Sequence, residues 1–325
     1  MSCYLKIQHL KIPFDSSTRR SRKLFQENTL RTTTLTGNAE AIGWVTIGTE
    51  LFSLIYASGK FAEAGVSPLQ ILFLRYLGGF GTLLLVVARS RSPLRAYRSM
   101  RPFSHFMRAV FGASGGGALI YASANMPIVD ATAIGLLYVV FVIPLGILML
   151  GERVTRWHCI AIAACCTGAA IVMASRGAFT QFQPAYLLTA GVAVVGAVLL
   201  AFEGLMIRTL AQADRPMTVL LYVNGFGALL MALPAVVLWV PVSTETVLGF
   251  IGLGPIAVTA QYCIVQGYRL APLSIVGPVD YTWLIFAGLI GFLFFDEQMT
   301  QGAVAGSLII VVGGTILTRI KTAGD

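Results

Sequence analysis

The chain has 325 residues, of which 56% are hydrophobic and only 11% charged, with a mean hydropathy of +0.79. About a quarter of the residues of an average soluble domain are charged, so this composition excludes an ordinary water-soluble globule and defines an integral membrane protein. A net charge of +9 raises the question of a nucleic-acid partner, which the placement of the charges answers below.

Residues 1–40 hold seven basic and three acidic side chains among many Ser and Thr, without the apolar core of a secretory signal. They read as a solvated basic tail on the cytoplasmic side; an organelle transit peptide has a similar composition. A bilayer core about 30 Å thick needs roughly 20 apolar residues per helix. Ten such stretches follow, at about 41–59, 68–88, 105–122, 128–150, 157–174, 184–206, 216–240, 246–267, 274–295 and 302–319. Turn-bounded strands of alternating polarity, the signature of a membrane barrel, are not seen.

Taken in order, the first span carries Glu50 near its middle, and the second carries Arg75 seven residues from its start. The third contains the small-residue run "GASGGGALIYASA" from Gly112. The fourth passes Tyr138 and ends at Gly151-Glu152-Arg153. Four of the five cysteines, Cys159, Cys165, Cys166 and Cys263, lie in spans as small hydrophobes, with no Cys/His spacing for zinc. Glu203 lies near the end of the sixth span, where Arg208 is its expected partner. Asn224 sits in the seventh span, Gln261, Tyr262 and Gln266 in the eighth, and Pro278, Asp280 and Trp283 in the ninth.

With the N-terminus in the cytoplasm, tails and loops assigned inside hold 20 of the 23 Lys and Arg. The stretch from Arg89 to Arg108 alone supplies six of them. Lys60 and Arg176 fall outside, and Arg75 within a span. This is the positive-inside pattern, with both termini cytoplasmic. Basic loops facing anionic headgroups account for the net charge and remove the case for nucleic acid.

A charge at the bilayer centre costs roughly 2.5–3.5 kcal/mol or more, so an intramembrane ionisable residue is a functional candidate. Arg75 lies about 10 Å down its span at 1.5 Å per residue and requires an acid, carbonyls, water or an anionic substrate. Glu50 is its partner by depth, and a purely structural Glu50–Arg75 pair is the alternative to a site. Pro278 removes a backbone donor and opens the helix where Asp280 sits. At helical spacing Asp280, Trp283 and Ala287 share a face. The candidate binding set is therefore Glu50, Arg75, Tyr138, Gln261, Gln266, Asp280 and Trp283. Against it stand an interfacial aromatic belt for Tyr138 and Trp283, and interhelical polar contacts for the glutamines.

Sliding the chain by 145 residues sets Pro127 on Pro272, Tyr138 on Trp283, Glu152 on Glu297, Thr155 on Thr300 and Gly168 on Gly313. A near-equal shift pairs "GGFGTLL" with "NGFGALL" and Lys60 with Arg208. Each unit, 41–180 and 181–325, holds five spans. An odd number makes the second copy lie upside down relative to the first, as in inverted-repeat secondary transporters.

The five-plus-five arrangement, "LMLGERVT" closing the fourth span, its echo "FFDEQMT" closing the ninth, "YASANMPIVDATAI" and "GKFAEAGVSPLQILFLRY" resemble the EamA-type branch of the drug/metabolite transporter superfamily. The resemblance spans about 41 to 320. It implies an all-α membrane protein of ten helices in two inverted five-helix repeats. It implies a secondary transporter moving a small organic metabolite across the inner membrane by alternating access: an amino acid, a nucleobase-like or nucleoside-like compound, a vitamin or an S-adenosylmethionine-like molecule. Expected partners are that metabolite, membrane lipid, a proton or other coupling ion, and a second copy of the chain. No cofactor or metal is expected, and no nucleic acid.

Two other classes are weighed. Gly112 to Gly115 spells Gly-Ala-Ser-Gly, a nucleophile motif of intramembrane serine proteases. His105 stands nine residues before Ser114, about 13 Å along a helix, too far for a base that must come within about 3 Å. A channel is disfavoured by the inverted pair, since filters are usually rings of repeated subunits. No Gly-x-x-x-x-Gly-Lys loop for ATP is present.

Overall fold

The computed structural model describes residues 37–55, 66–90, 92–126, 128–175, 177–178, 184–295 and 300–320. Lys60, Arg176, Glu297, the tail up to residue 36 and Lys321 lie outside them. Every regular element among the described residues is helical. The helices are α1 (37–55), α2 (Pro68–Arg89), α3 (Pro102–Asn125), α4 (Ile128–Gly135), α5 (Tyr138–Leu150), α6 (Arg156–Ser175), α7 (Pro184–Ala213) and α8 (Pro216–Val237). They continue as α9 (Thr244–Gly252), α10 (Gly254–Leu270), α11 (Leu273–Val276), α12 (Thr282–Phe295) and α13 (Gln301–Thr318). A short 3₁₀ turn, Leu94–Tyr97, precedes α3, and another, Gly277–Tyr281, joins α11 to α12.

Sequence signals set the ends. Pro opens α2, α3 and α8, where a fixed φ suits the first turn and the missing N–H has no intrahelical partner to lose. Thr300 caps α13 by accepting from the Ala303 N–H at 3.1 Å, and Ser243 caps α9 by accepting from Thr246 at 3.2 Å. Gly151 ends α5 with φ of 69°, a left-handed turn that favours glycine.

Eight helical stretches among the described residues are long and apolar enough to cross a membrane. These take α4–α5, α9–α10 and α11–α12 as continuous crossings. The described part of α1, which carries Asn38, Glu40 and Glu50, and α3, diluted by Gly and Ser, do not join that count although both are helical where spans were expected. Small residues bring helices together: a Cβ on Gly168 of α6 would stand 2.6 Å from the Gly306 carbonyl of α13, and one on Gly79 of α2 would stand 2.7 Å from Asn224 Oδ1 of α8.

The fourth and ninth expected spans are each interrupted. Residues 136–137 interrupt α4–α5, and the 3₁₀ turn over Gly277–Tyr281 interrupts α11–α12. In a membrane, backbone freed in this way is tolerated where protein or a cavity satisfies it. The largest buried cluster surrounds these breaks, with Val142 and Ile143 of α5, Leu205 of α7, Val265 and Tyr268 of α10, and Ile275 and Val276 of α11.

Candidate functional site

Asp280 lies in the 3₁₀ turn that opens α12, and its carboxylate collects hydroxyls from three other helices. Tyr138, the first residue of α5, donates to Oδ2; Thr49 of α1 donates to Oδ1 at 3.1 Å; Tyr268 of α10 reaches Oδ2 at 3.4 Å. Pro278 shapes the turn, as its sequence position predicts. Asp280 stands in the 3₁₀ turn, and Trp283 is the second residue of α12 that follows it. Trp283 and Tyr138 both pack on a neighbouring cluster of Val139, Cys165, Tyr281 and Leu284. Thr49 and Tyr268 were missed at the sequence level, where a mid-span Thr and one Tyr among eleven carry no distinguishing signal.

Arg75 is buried, 8% exposed, on α2. Its guanidinium carbon stands 5.1 Å from the Tyr76 ring centre and 6.0 Å from that of Phe52, within cation–π range. Its Nε has no hydrogen-bond partner. Glu50 is exposed on α1 while its neighbours Thr49 and Ser53 are buried, and Arg75 is buried on α2, so the expected Glu50–Arg75 ion pair is not formed.

The glutamines stand apart from the carboxylate. Gln261 Oε1 accepts from Asn224 Nδ2 at 2.8 Å, a buried bond between α10 and α8. Gln266 donates to Tyr262 on its own helix at 3.0 Å, and the Tyr262 ring meets Trp44 edge-on at 6.2 Å.

Two further expectations are corrected. Arg108, counted with the cytoplasmic loop charges, is 2% exposed inside α3, because the helix starts at Pro102 and carries it inward. Glu203 does not pair with Arg208; its Oε1 faces Arg108 Nε at 4.0 Å. Arg208 instead donates to the carbonyls of Tyr268 (2.5 Å) and Arg269 (3.0 Å) at the end of α10.

Beside it, Glu152 accepts the backbone N–H groups of Leu273 (2.7 Å) and Ser274 (3.0 Å). The Gly-Glu-Arg tripeptide therefore acts by turning the chain at Gly151 and capping α11 with Glu152, a carboxylate at a helix N-terminus. Arg208 and Glu152 together clamp the α10–α11 connection, next to a cavity of about 360 Å³ lined by Arg101, Glu152, Arg208 and Gln212 among others.

At the same end, His105 Nε2 meets both Asp214 (2.9 Å) and Ser99 (3.2 Å), while Ser99 donates to Asp214 at 2.6 Å. Serine and aspartate share one ring nitrogen, so the group ties loops together and is not a nucleophile relay. Ser114 is exposed on α3, and the glycines around it serve packing: a Cβ on Gly112 would meet the Glu203 carboxylate at 2.7 Å, and one on Gly115 would meet Leu200 at 2.9 Å. Among the described residues no cluster of His, Cys, Asp and Glu is arranged to hold a metal.

A helical membrane fold with a carboxylate at a broken helix, held by hydroxyls from several helices, defines a transporter-like protein. The model of the EamA-like transporter family matches the chain twice, over residues 40–174 and 187–319, and the chain belongs to that family. It is similar to the pseudopaline exporter of Pseudomonas aeruginosa, 26% identical over 274 residues, covering 83% of this chain and 93% of the exporter. It resembles the riboflavin transporter of Rhizobium johnstonii at 30% identity over 250 residues (74% and 78% of the two chains). It also resembles the S-adenosylmethionine uptake transporter of Rickettsia prowazekii at 19% identity over 274 residues (83% and 89%). A protein of known crystal structure shares the fold with a TM-score of 0.70 at 18% identity, covering 89% of this chain and 98% of that one. The family and these relatives are transporters, not enzymes, so the protease reading falls.

Proposed function

We propose that this protein is a secondary transporter that moves a small organic metabolite across the inner membrane by alternating access. Ten spans form two five-helix halves, 41–180 and 181–325, related as inverted repeats, with both termini in the cytoplasm. Support comes from the double family match, from a helix break in the fourth and in the ninth span, and from the packing of α2 on α8 and α6 on α13, the counterparts in the two halves. The positive-inside count supports the orientation.

The observation that carries the reading is Asp280, a carboxylate on a broken helix that binds hydroxyls of α1, α5 and α10. Neutral hydroxyls can be exchanged for a cationic ligand group or a proton, and the helices that supply them then shift together. Such a site, at a discontinuous helix between two halves, is where inverted-repeat transporters bind substrate. Arg75 answers an anionic group of the ligand, and Tyr138 with Trp283 lie against its apolar body. Glu50, Gln261 and Gln266 lie on α1 and α10, the helices that bring Thr49 and Tyr268 to Asp280, and serve the ligand's path at positions further from the carboxylate. Relatives named for pseudopaline, riboflavin and S-adenosylmethionine make polar metabolites the first compounds to try: amino acids, nucleosides, vitamins and S-adenosylmethionine.

The test is a thermal-stability screen of the purified protein against these compounds, beside Asp280→Asn and Arg75→Leu. A ligand at about 100 times its Kd stabilises the folded state by roughly 2.7 kcal/mol. The expected result is a compound that stabilises the wild type and neither variant, with both variants folded. Equal stabilisation of all three proteins would remove Asp280 and Arg75 from the site.

A further inference from the structure

A second arginine is buried near the first, and neither is neutralised by a close ion pair. Arg75 is 8% exposed and Arg108 2%. Arg75 Nε and Arg108 Nε and Nη1 have no hydrogen-bond partner. Buried, unpaired guanidinium N–H groups inside a membrane protein are costly, and they are retained where a ligand completes them.

The carboxylate that faces Arg108 is Glu203 of α7. It lies within electrostatic reach of both arginines, and its 4.0 Å separation from Arg108 Nε is well beyond the roughly 2.7–2.9 Å of a charge-assisted hydrogen bond. Gly112 of α3 supplies the recess in which that carboxylate sits, since any Cβ there would stand 2.7–2.8 Å from its atoms. Two cations thus face one anion, leaving charge for one more.

Position links this group to the Asp280 site. The Tyr76 ring lies beside Arg75 and packs with Ala113 of α3, next to Gly112. Tyr268, whose hydroxyl stands 3.4 Å from Asp280, is within electrostatic reach of Arg108 and Glu203, and its hydroxyl is 3.9 Å from where a Cβ on Gly204 would be. Seven residues into α2 and six into α3, Arg75 and Arg108 each stand about 10 Å from their helix starts.

We propose that Arg75 and Arg108 form a carboxylate-binding site, that Glu203 is the internal counter-ion holding it in the absence of ligand, and that the carboxylate of the transported metabolite replaces Glu203 there. The substrate role rests on the transporter reading above. Planar guanidinium groups bind carboxylates through paired N–H bonds, which distinguishes them from a simple positive patch. With Asp280 close by, the substrate class is a metabolite bearing both a carboxylate and a cationic or hydroxyl-rich portion.

The probe is acetate, on the full-length protein in detergent at about 100 mM, a concentration that registers weak binding. Sodium chloride at equal ionic strength and acetamide are the controls. Acetate is expected to raise the unfolding midpoint above both. Glu203→Gln keeps the side-chain shape and removes the competing carboxylate, so acetate affinity rises about tenfold; Arg108→Gln lowers it about tenfold or more. Arg108→Lys keeps the charge without the fork and recovers only part of the loss.

Opposite effects of the glutamate and arginine variants are a signature that general destabilisation does not produce. Equal shifts with acetate and chloride, or weaker acetate binding in Glu203→Gln, overturn the proposal. Metabolite uptake into vesicles by the wild type separates the two readings. Uptake without an acetate effect overturns this site alone, and an acetate effect without uptake supports the site while overturning the transporter reading.

Discussion

Removing the Glu152 carboxylate tests the clamp on α11. Its two oxygens accept the Leu273 and Ser274 N–H groups at 2.7 and 3.0 Å. A hydrogen bond to a charged group contributes about 1.5–3 kcal/mol. The adjoining cavity lets water replace part of each bond, so the lower end applies. Two bonds at about 1.5 kcal/mol give about 3 kcal/mol for Glu152→Ala. Glu152→Gln keeps one acceptor and loses about half of that. The assay is chemical unfolding of the detergent-solubilised protein, with hydrogen exchange at the Leu273 and Ser274 amides as the local readout. Alanine and glutamine variants should lose stability in a ratio near two to one, and both amides should exchange faster. Stability of Glu152→Ala within about 0.5 kcal/mol of wild type, the usual range of an inconsequential surface change, with unchanged exchange, would refute the reasoning.

Further outcomes follow from particular contacts. Gly112→Ala drives a methyl group into the Glu203 carboxylate and should destabilise by about 1–3 kcal/mol in the same unfolding assay. Asn224→Leu leaves Gln261 without its buried partner and should cost about 1–3 kcal/mol, while the double variant with Gln261→Leu costs less than the two single changes summed. Tyr138→Phe removes a hydroxyl from Asp280; ligand affinity in the thermal screen should change in Tyr138→Phe while overall stability stays near wild type. His105→Ala leaves Ser99 and Asp214 to each other and should lower the unfolding midpoint without altering that affinity.

The apolar runs made the helix positions legible, since burial in lipid demands about 20 apolar residues whatever the partners. The spans read from 68 and 216 begin at the prolines that open α2 and α8, and Pro278 marked the break at Asp280. The Gly-Glu-Arg tripeptide could be seen as a boundary, but its work could not: Glu152 caps a helix 121 residues away, and no local pattern encodes that contact. Arg75 and Asp280 stood out because charge inside an apolar run is expensive. Arg108 did not, because six basic residues between Arg89 and Arg108 read as one loop and only the start of α3 at Pro102 separates the last from the rest. Glu203 was paired with Arg208 by sequence proximity; on α7 the five-residue spacing points the two side chains to different neighbours, one to α3 and the other to α10.

The central claim is that the transported metabolite engages the Asp280 carboxylate. Its most direct test is counterflow in proteoliposomes, with amino acids, nucleosides, riboflavin and S-adenosylmethionine as labelled compounds, for wild type and Asp280→Asn reconstituted at equal density. The account predicts that wild type accumulates at least one of these compounds and that Asp280→Asn, folded and inserted, does not. Accumulation by Asp280→Asn at the wild-type rate would contradict it.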